Sequence, residues 1–320
     1  MRRDSHNKNL IGICCVLGGT LALGVQDMII KLISGIYPLH EIGFVRSIFA
    51  ILLTCAFLKM EGGFTQLITK RPGAHLARGV LLIGANMAYF LGLASMPLAD
   101  AAAIFFSAPL IITLLAVPLL GEKVGPRRWA AVFVGMLGVI IMLRPQTNVI
   151  QLVGLLPLVA AVCYASIQIL ARKLGATESA SVMAFYVQAC FLVFSIGFGL
   201  VFGSGWMSSG DNLTADFLLR AWSWPDVFGF GMMAACGMLV GIGGYLLSQA
   251  YRLAQARTVA PFEYAGLPFA VLLGFIVWGH LPDGLSLAGI ALIAASGLYV
   301  FFRENENRKE QMAAEPVLHD

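Results

Sequence analysis

Long apolar segments alternate with short polar connectors along almost the whole chain. A helix needs about 20 apolar residues to cross a bilayer. The pattern therefore predicts an all-α integral membrane protein with polar tails at residues 1–9 and 304–320. The ten predicted transmembrane helices cover residues 10–33, 41–59, 77–96, 100–120, 128–144, 151–171, 179–203, 226–250, 258–279 and 284–302.

Two polar stretches fall outside these spans. The longest connector, residues 204–226, predicts a small interfacial helix with Trp206, Trp222 and Trp224 at the depth of the lipid headgroups. The charged tail after Phe302 predicts disorder, because it has too little apolar surface to bury.

Composition agrees with a membrane protein. Hydrophobic residues make up 59% of the chain, charged residues 12%, and the mean hydropathy is +0.84, whereas soluble domains carry about 25% charged residues. The net charge of +4 forms no basic stripe interleaved with aromatics, so nucleic acid is not an expected partner. The six cysteines lie in apolar runs without metal-ligand spacing, and we predict no metal and no cofactor.

Basic residues predict the orientation. With a cytoplasmic N-terminus, nearly all of the 21 Lys and Arg residues lie at inner ends and loops, and only Lys31, Arg144 and Arg220 lie at outer ends. Arg46 is the exception, because it falls inside a span. The positive-inside rule thus predicts a multi-pass protein with both termini in the cytoplasm, and we expect a bacterial inner membrane.

The sequence also contains an internal repeat. Residues 12–32 align with residues 154–174, so that Gln26 meets Gln168, and further on Pro109 falls opposite Pro268. Two five-helix repeats are predicted, at residues 10–145 and 151–303. An odd number of spans per repeat places the second repeat upside down in the membrane, which suits a carrier that alternates between two near-mirror states.

Residues 98–145 carry a resemblance to a known family. Their features are the small residues that open the fourth span, Pro109 within it, the Gly121–Glu122 pair and a glycine-rich fifth span. The chain resembles the ten-helix, EamA-like branch of the drug/metabolite transporter superfamily over residues 10–303. The second repeat departs from the pattern, because GHLP at 279–282 replaces the expected Gly-Glu.

This resemblance implies a transporter rather than an enzyme. Within the superfamily, the first repeat is similar to riboflavin-type and S-adenosylmethionine-type uptake carriers, whereas other members export amino acids or drugs. The direction of transport therefore stays open.

Asp27 is the first acid within a span. A lone ionised carboxylate there costs about 2.5–3.5 kcal/mol on insertion scales. Three interpretations stay open: Asp27 pairs with Lys31 one turn away, it pairs with Arg46 on the next span, or it faces a wet cavity and binds substrate or a proton.

Glu263 is the second such acid, between Pro261 and Pro268 and opposite the region of Ser107. Prolines break the helical hydrogen-bond ladder, and paired breaks in corresponding helices point to a carrier's binding site. The structural alternative is a kink at which Glu263 bonds to neighbouring backbone. We predict Glu263 as the proton-coupling residue, since Asp27 has Lys31 and Arg46 to hold it ionised.

Aromatic and amide side chains near these acids suit a cavity for a planar, hydrogen-bonding solute. The predicted substrate and transport residues are Gln26, Asp27, Arg46, Asn86, Tyr89, Phe105, Ser107, Pro109, Gln168, Tyr245, Glu263, Tyr264 and Pro268.

The resulting hypothesis is a secondary-active transporter that moves a small organic metabolite by alternating access, with uptake of riboflavin or a similar heteroaromatic vitamin as the first choice. S-adenosylmethionine uptake and amino-acid or drug efflux are the alternatives. A rival from another class is an intramembrane enzyme or scramblase-like protein that uses Asp27 and Glu263 as acid and base. The expected partners are the solute, the lipid bilayer and protons, and a homodimer stays open.

Overall fold

The protein is all-helical in every regular element of the part described. The computed structural model describes residues 2–69, 72–121, 125–143, 150–174, 180–208, 210, 213–254 and 259–314. Ten segments within these ranges are long and apolar enough to span a membrane, and they coincide with the ten predicted spans to within a few residues. The predicted all-α membrane fold is confirmed.

Among the residues that the structure describes, the first half of the chain forms six helices and the second half another six. The first six are α1 (Arg2–Ile33), α2 (Leu39–Glu61), α3 (Pro72–Ser95), α4 (Leu98–Phe105), α5 (Ala108–Leu120) and α6 (Pro126–Leu143). The second six are α7 (Ile150–Leu174), α8 (Ala180–Phe202), α9 (Leu213–Leu219), α10 (Val227–Leu253), α11 (Gly266–Trp278) and α12 (Gly284–Ala314). Short 3₁₀ helices cover Phe64–Leu67 and Ala260–Ala265.

Helix packing is consistent with two equivalent halves. Helix α1 packs on α10, and α7, which corresponds to α1 in the second half, packs on α3, which corresponds to α10. The pairs α2 with α8, α4 with α11 and α6 with α12 each join corresponding helices of the two halves, whereas α2 with α10 is matched by α8 with α3, and α5 with α7 by α11 with α1. Exchange of the halves therefore maps this set of pairs onto itself. The inverted orientation of the second repeat stays a prediction that this pattern supports.

The fourth and ninth spans are both interrupted near a proline. The fourth span breaks between α4 and α5, just before Pro109, and the ninth begins as the 3₁₀ helix Ala260–Ala265 and continues as α11, which contains Pro268. Proline has no N–H to donate to the carbonyl four residues earlier. The carbonyls of Phe105 and Tyr264, at matching places in the two repeats, thus cannot accept from the residue four positions on; a backbone N–H at the end of the 3₁₀ helix donates to the carbonyl of Tyr264 instead.

Both interrupted spans end on a glycine in the left-handed conformation. Gly121 closes α5 with φ of 70° and Gly279 closes α11 with φ of 67°, a region that strongly favours glycine. The Gly-His-Leu-Pro stretch of the second repeat therefore keeps the backbone role of the glycine while it lacks the acid. Glu122 lies outside the described residues.

The connector at residues 204–226 packs over one end of the bundle, which we name the connector end. Its predicted small helix is present as α9, and Phe217 within that helix is fully buried. Trp206 and Trp224 are exposed, as an interfacial position requires. Trp222 is half-buried instead, with its ring 5.6 Å from that of His40.

The predicted disorder of the C-terminal tail is wrong as far as Ala314. Helix α12 continues from its span through residues 303–314, and α1 likewise begins at Arg2, before the first span. Glu, Lys, Arg, Gln, Met and Ala are good helix formers, and no proline occurs in this stretch before Pro316. A helix that already exists in the membrane can therefore be extended without a new nucleation step.

Candidate functional site

Asp27 lies half-buried in the bundle interior, between α1 and α3. The side-chain amide of Gln26 donates to one carboxylate oxygen at 3.0 Å, and the hydroxyl of Tyr89 donates to the other at 3.0 Å. Hydrogen bonds to an ionised group contribute more than those between neutral groups. These two hydrogen bonds thus stabilise the carboxylate of Asp27 within an otherwise apolar span.

Lys31 does not pair with Asp27. Its ammonium group donates to the backbone carbonyls of Leu93 at 2.8 Å and Met96 at 2.6 Å, where α3 ends, and it lies 5.6 Å from the ring centre of Trp278. The last carbonyls of a helix have no intrahelical donor and carry partial negative charge. The i,i+4 pair, one of the three interpretations of Asp27, is not formed, because the end of α3 binds the cation instead.

Arg46 is buried in α2 with a relative exposure of 3%. Its guanidinium carbon lies 5.3 Å from the ring centre of Phe90 and 5.1 Å from that of Phe191. Its charge acts on Asp27 through space, but in the part of the chain that the structure describes it makes no hydrogen bond or ion pair. The predicted Asp27–Arg46 relation is therefore electrostatic rather than a bonded salt bridge.

We name Gln26, Asp27, Arg46 and Tyr89 the Asp27 cluster. Cys236 on α10 completes its surroundings, with the thiol 3.8 Å from the backbone carbonyl of Gln26. The cluster thus draws on α1, α2, α3 and α10, which no single stretch of sequence contains.

A second group, the Glu263 cluster, consists of Tyr164, Gln168, Glu263 and Tyr264. Glu263 is half-buried in the 3₁₀ helix of the ninth span, within electrostatic range of Tyr164 and Tyr264. The amide of Gln168 donates to the hydroxyl of Tyr164 at 2.8 Å. The acid therefore lies near two phenols, whose hydroxyl hydrogens can rotate when the charge of the acid changes.

A row of aromatic rings joins the two clusters. The ring of Phe105 lies 5.1 Å from that of Tyr89 and 5.5 Å from that of Tyr164. Phe105 is the last residue of α4, immediately before the break in the fourth span. Rings at these separations are typical of aromatic pairs and provide a continuous π surface between Asp27 and Glu263.

Most of the sequence-predicted residues thus meet in the interior: Gln26, Asp27, Arg46, Tyr89, Phe105, Gln168, Glu263 and Tyr264. The others have different surroundings. Asn86 is half-buried on α3, one turn before Tyr89. Ser107 is fully buried and donates to the carbonyl of Ile104 at 2.6 Å, and Pro109 accepts from Thr113 at 3.2 Å.

Tyr245 lies away from both clusters, whereas Pro268 shares a groove with Tyr264 of the Glu263 cluster. Tyr245 stacks on Phe57 with ring centres 4.0 Å apart. Pro268 is exposed and lines an apolar groove of about 510 Å³ between α11 and α12, beside Leu272 and Phe275. Tyr245 is the residue of the second repeat that corresponds to Tyr89. The two tyrosines nevertheless have different neighbours, because Tyr245 contacts Phe57 and Tyr89 contacts Phe105.

Sequence reasoning missed three neighbours of the Asp27 cluster. Phe90, Phe191 and Cys236 lie in unbroken apolar runs, where nothing distinguishes them from lipid-facing side chains. Tyr164 carried a detectable signal, because it precedes Gln168 by one helical turn.

The titratable side chains do not assemble into a metal centre in the described part of the chain. No group of three or more His, Cys, Asp or Glu residues there could hold a metal ion. The interior chemistry consists of separated acids, one guanidinium, amides and aromatic rings.

Ten spans around such a polar and aromatic interior define a multi-pass membrane protein of the transporter class. The model of the EamA-like transporter family matches residues 10–144. The chain belongs to this family of the drug/metabolite transporter superfamily.

Relatives with assigned activities are similar over most of the chain. The riboflavin transporter of Rhizobium johnstonii is 31% identical over 87% of this chain and 85% of its own length. The S-adenosylmethionine uptake transporter of Rickettsia prowazekii is 24% identical over 95% of this chain and 97% of its own. One crystal structure, 20% identical, covers 94% of this chain and 99% of its own with a TM-score of 0.62, which supports the fold alone.

Proposed function

We propose that this protein is a secondary-active carrier that takes up riboflavin or a similar heteroaromatic metabolite across a bacterial inner membrane. The observation that carries the proposal is the row of rings Tyr89–Phe105–Tyr164 between the Asp27 and Glu263 clusters. A planar solute gains from stacking on such rings and from a few fixed polar groups at each end.

Alternating access is supported by the paired interruptions at Pro109 and Pro268. Unwound backbone at membrane depth is tolerated where it lines a cavity or is buried in protein, and such breaks occur at the binding sites of carriers. Phe105 and Tyr264 stand at the two breaks, so that the interruptions and the aromatic side chains occupy the same level of the bundle.

Hydrogen bonds tie together the elements at the connector end. Besides Lys31, three contacts hold it: Arg220 donates to the carbonyl of Ser34 at 3.2 Å, the backbone N–H of Ser223 donates to Glu41 at 3.1 Å, and Tyr37 donates to Asp226 at 2.9 Å. With both termini in the cytoplasm, as the positive-inside rule favours, this is the outer end.

Proton coupling is assigned to Glu263. A coupling residue must be neutral in one state of the cycle and ionised in the other, and intramembrane acids of this kind mark proton pathways. Asp27 is the weaker candidate, because hydrogen bonds from Gln26 and Tyr89 already engage both of its carboxylate oxygens.

The test is transport by the purified full-length chain in proteoliposomes. Labelled riboflavin and labelled S-adenosylmethionine are supplied separately, with and without an inward proton gradient. We expect saturable, gradient-driven accumulation of riboflavin that an excess of unlabelled riboflavin suppresses. Flux that never saturates would contradict a carrier.

The alternatives correspond to distinct outcomes of the same assay. Accumulation of S-adenosylmethionine but not riboflavin would identify S-adenosylmethionine as the substrate. Transport observed only in inside-out vesicles would identify the protein as an exporter. Chemically altered solute or scrambled lipid would favour an enzyme or a scramblase. Association into a homodimer stays a prediction, which the mass of the detergent-purified protein tests.

A further inference from the structure

Within the part of the chain that the structure describes, Arg46 finds none of the hydrogen-bond acceptors that a buried cation requires. Its side chain is 3% exposed, and its Nε atom is buried without a partner; in the described residues no acceptor reaches the other guanidinium nitrogens either. Removing a charge from water is costly unless paired groups replace the lost hydration. A side chain retained in this condition points to an acceptor that arrives with the solute.

The two rings beside Arg46 do not meet this need. Phe90 and Phe191 lie within cation–π distance and favour the positive charge. The rings, however, offer no lone pairs to the N–H groups of the guanidinium. These N–H groups are arranged in a planar fork, which binds two acceptors that lie side by side. The complementary ligand group therefore presents two acceptors side by side.

The carboxylate of Asp27 favours a neutral rather than a charged pair of acceptors on the ligand. A carboxylate on Arg46 would be placed near the carboxylate of Asp27, which already interacts with the Arg46 charge. Like charges at close range in a medium of low dielectric constant repel strongly. A neutral pair, such as a ring nitrogen next to a carbonyl oxygen, avoids this repulsion.

Gln26 indicates which group of the ligand lies next to these two acceptors. Its amide nitrogen donates to Asp27, but its carbonyl oxygen is buried without a partner among the described residues, so that it seeks a donor. Together, Arg46 and Gln26 match an edge that carries two acceptors followed by an N–H. Guanine, pterin and flavin rings have this order at the ring nitrogen, the carbonyl and the imide or amide N–H, whereas adenine presents an acceptor followed by an amino donor.

We propose that Arg46 and Gln26 form a subsite for the ring-nitrogen, carbonyl and N–H edge of a fused pyrimidinone. This inference rests on the proposed function and narrows it, because it favours a flavin-type ring over the adenine of S-adenosylmethionine. Arg46 holds the two acceptors, Gln26 accepts the N–H, and the rings of Tyr89 and Phe105 stack on the ligand.

The test measures binding by the full-length protein in nanodiscs through quenching of flavin fluorescence. The ligands are riboflavin, 5-deazariboflavin, in which C–H replaces the acceptor nitrogen, and 3-methylriboflavin, which lacks the N–H donor. For the unchanged protein we expect each modified ligand to bind about tenfold more weakly or worse, as loss of a hydrogen bond in a buried site requires.

Variants of Arg46 and Gln26 show which residue causes the weaker binding of each modified ligand. Arg46→Lys should remove the preference for riboflavin over 5-deazariboflavin, and Gln26→Leu should remove the preference over 3-methylriboflavin. The ratio is the readout, because Gln26 also bonds to Asp27 and its loss lowers overall affinity. Arg220→Lys, at the connector end, is the matched control and should leave both ratios unchanged.

The outcomes separate this inference from the proposed function. If riboflavin binds and both modified ligands bind equally well, the subsite is wrong while a flavin carrier stands. If riboflavin neither binds nor is transported, the proposed substrate is wrong. If a variant fails to elute as a monodisperse protein, the ligand series on the unchanged protein still decides the subsite.

Discussion

The Asp27 and Glu263 clusters place an acid in each repeat, but they surround it differently. Asp27 accepts from Gln26 and Tyr89 and feels the positive charge of Arg46. Glu263 lies in a 3₁₀ helix beside the phenols of Tyr164 and Tyr264. The first acid is fixed by two hydrogen bonds, and the second lies beside hydroxyl groups whose hydrogens can reorient; we base the assignment of coupling to Glu263 on this difference.

This difference indicates that the repeats share helices and breaks without sharing charges. Ile169 stands where the aligned second repeat would place an acid equivalent to Asp27, and it is buried. Two conformations built from such halves have related backbones but different electrostatic energies. We infer that binding chemistry is concentrated in the first repeat and coupling chemistry in the second.

The largest expected effect follows from Glu263→Gln, which keeps the shape of the side chain and removes its titration. A gradient of one pH unit supplies about 1.4 kcal/mol per proton, or about tenfold accumulation. We expect this accumulation to vanish in proteoliposomes while riboflavin still binds and exchanges.

Glu263→Asp, which keeps a titratable group, is the control and should retain part of the gradient dependence. Full gradient-driven accumulation by Glu263→Gln would remove the contrast between the two clusters and leave facilitated diffusion as the simpler account.

Asp27→Asn should have the next largest effect, on affinity or on the yield of folded protein. Hydrogen bonds to a charged group contribute about 1.5–3 kcal/mol each, so a loss of affinity of tenfold or more is expected. Arg46 also loses its nearby opposite charge. Titration of flavin fluorescence measures the affinity, and fluorescence-detected gel filtration measures the folded yield.

Tyr89→Phe deletes only one of the two bonds to Asp27 and should cause a smaller loss of affinity than Asp27→Asn. The gradient dependence should survive in both variants. If Asp27→Asn abolished coupling and left binding intact, the roles of the two clusters would have to be exchanged.

Lys31→Met tests whether the connector end is held shut by the contact between α1 and α3. Two hydrogen bonds are lost, at about 1 kcal/mol each, which shifts the population toward an open connector end by about tenfold or more. The measurement is the rate at which an impermeant maleimide labels a Ser34→Cys variant of a cysteine-free background.

Lys31→Arg retains donors for the end of α3 and should label slowly. Equal labelling rates with and without Lys31 would show that the remaining contacts at this end suffice to close it.

The smallest expected effect concerns pH at the connector end. The backbone N–H of Gly229 and the hydroxyl of Tyr37 bind the exposed carboxylate of Asp226 and hold its pKa below the usual range. A depressed folded-state pKa adds stability that is present above the unfolded pKa of about 3.9 and is lost as pH falls through the folded pKa.

Asp226→Asn keeps the capping geometry but cannot ionise. At pH 7 its Tm should lie slightly below that of the unchanged protein, by about 2 °C at most, and the difference should vanish in acid. A difference that persists unchanged at low pH would contradict the role of the carboxylate charge.

Much of the fold was predictable because it depends on local composition. Ten apolar segments require ten helices in lipid, where each backbone polar group must be satisfied within its own segment. Pro109 and Pro268 placed the two interruptions, since a missing N–H acts wherever proline stands. The helical extension through Ala314 was missed, because low hydropathy signals solvent exposure and does not by itself exclude a helix.

The sequence by itself therefore determined the spans, the two breaks and the presence of Asp27, Arg46 and Glu263 inside the membrane. Only the tertiary structure decided their partners. Lys31 could reach Asp27 along its own helix, yet it binds the end of α3, and Phe90 and Phe191 flank Arg46 from two other helices. Hydropathy is a property of each segment alone, whereas a side chain's partners depend on how helices distant in sequence rotate and pack against one another.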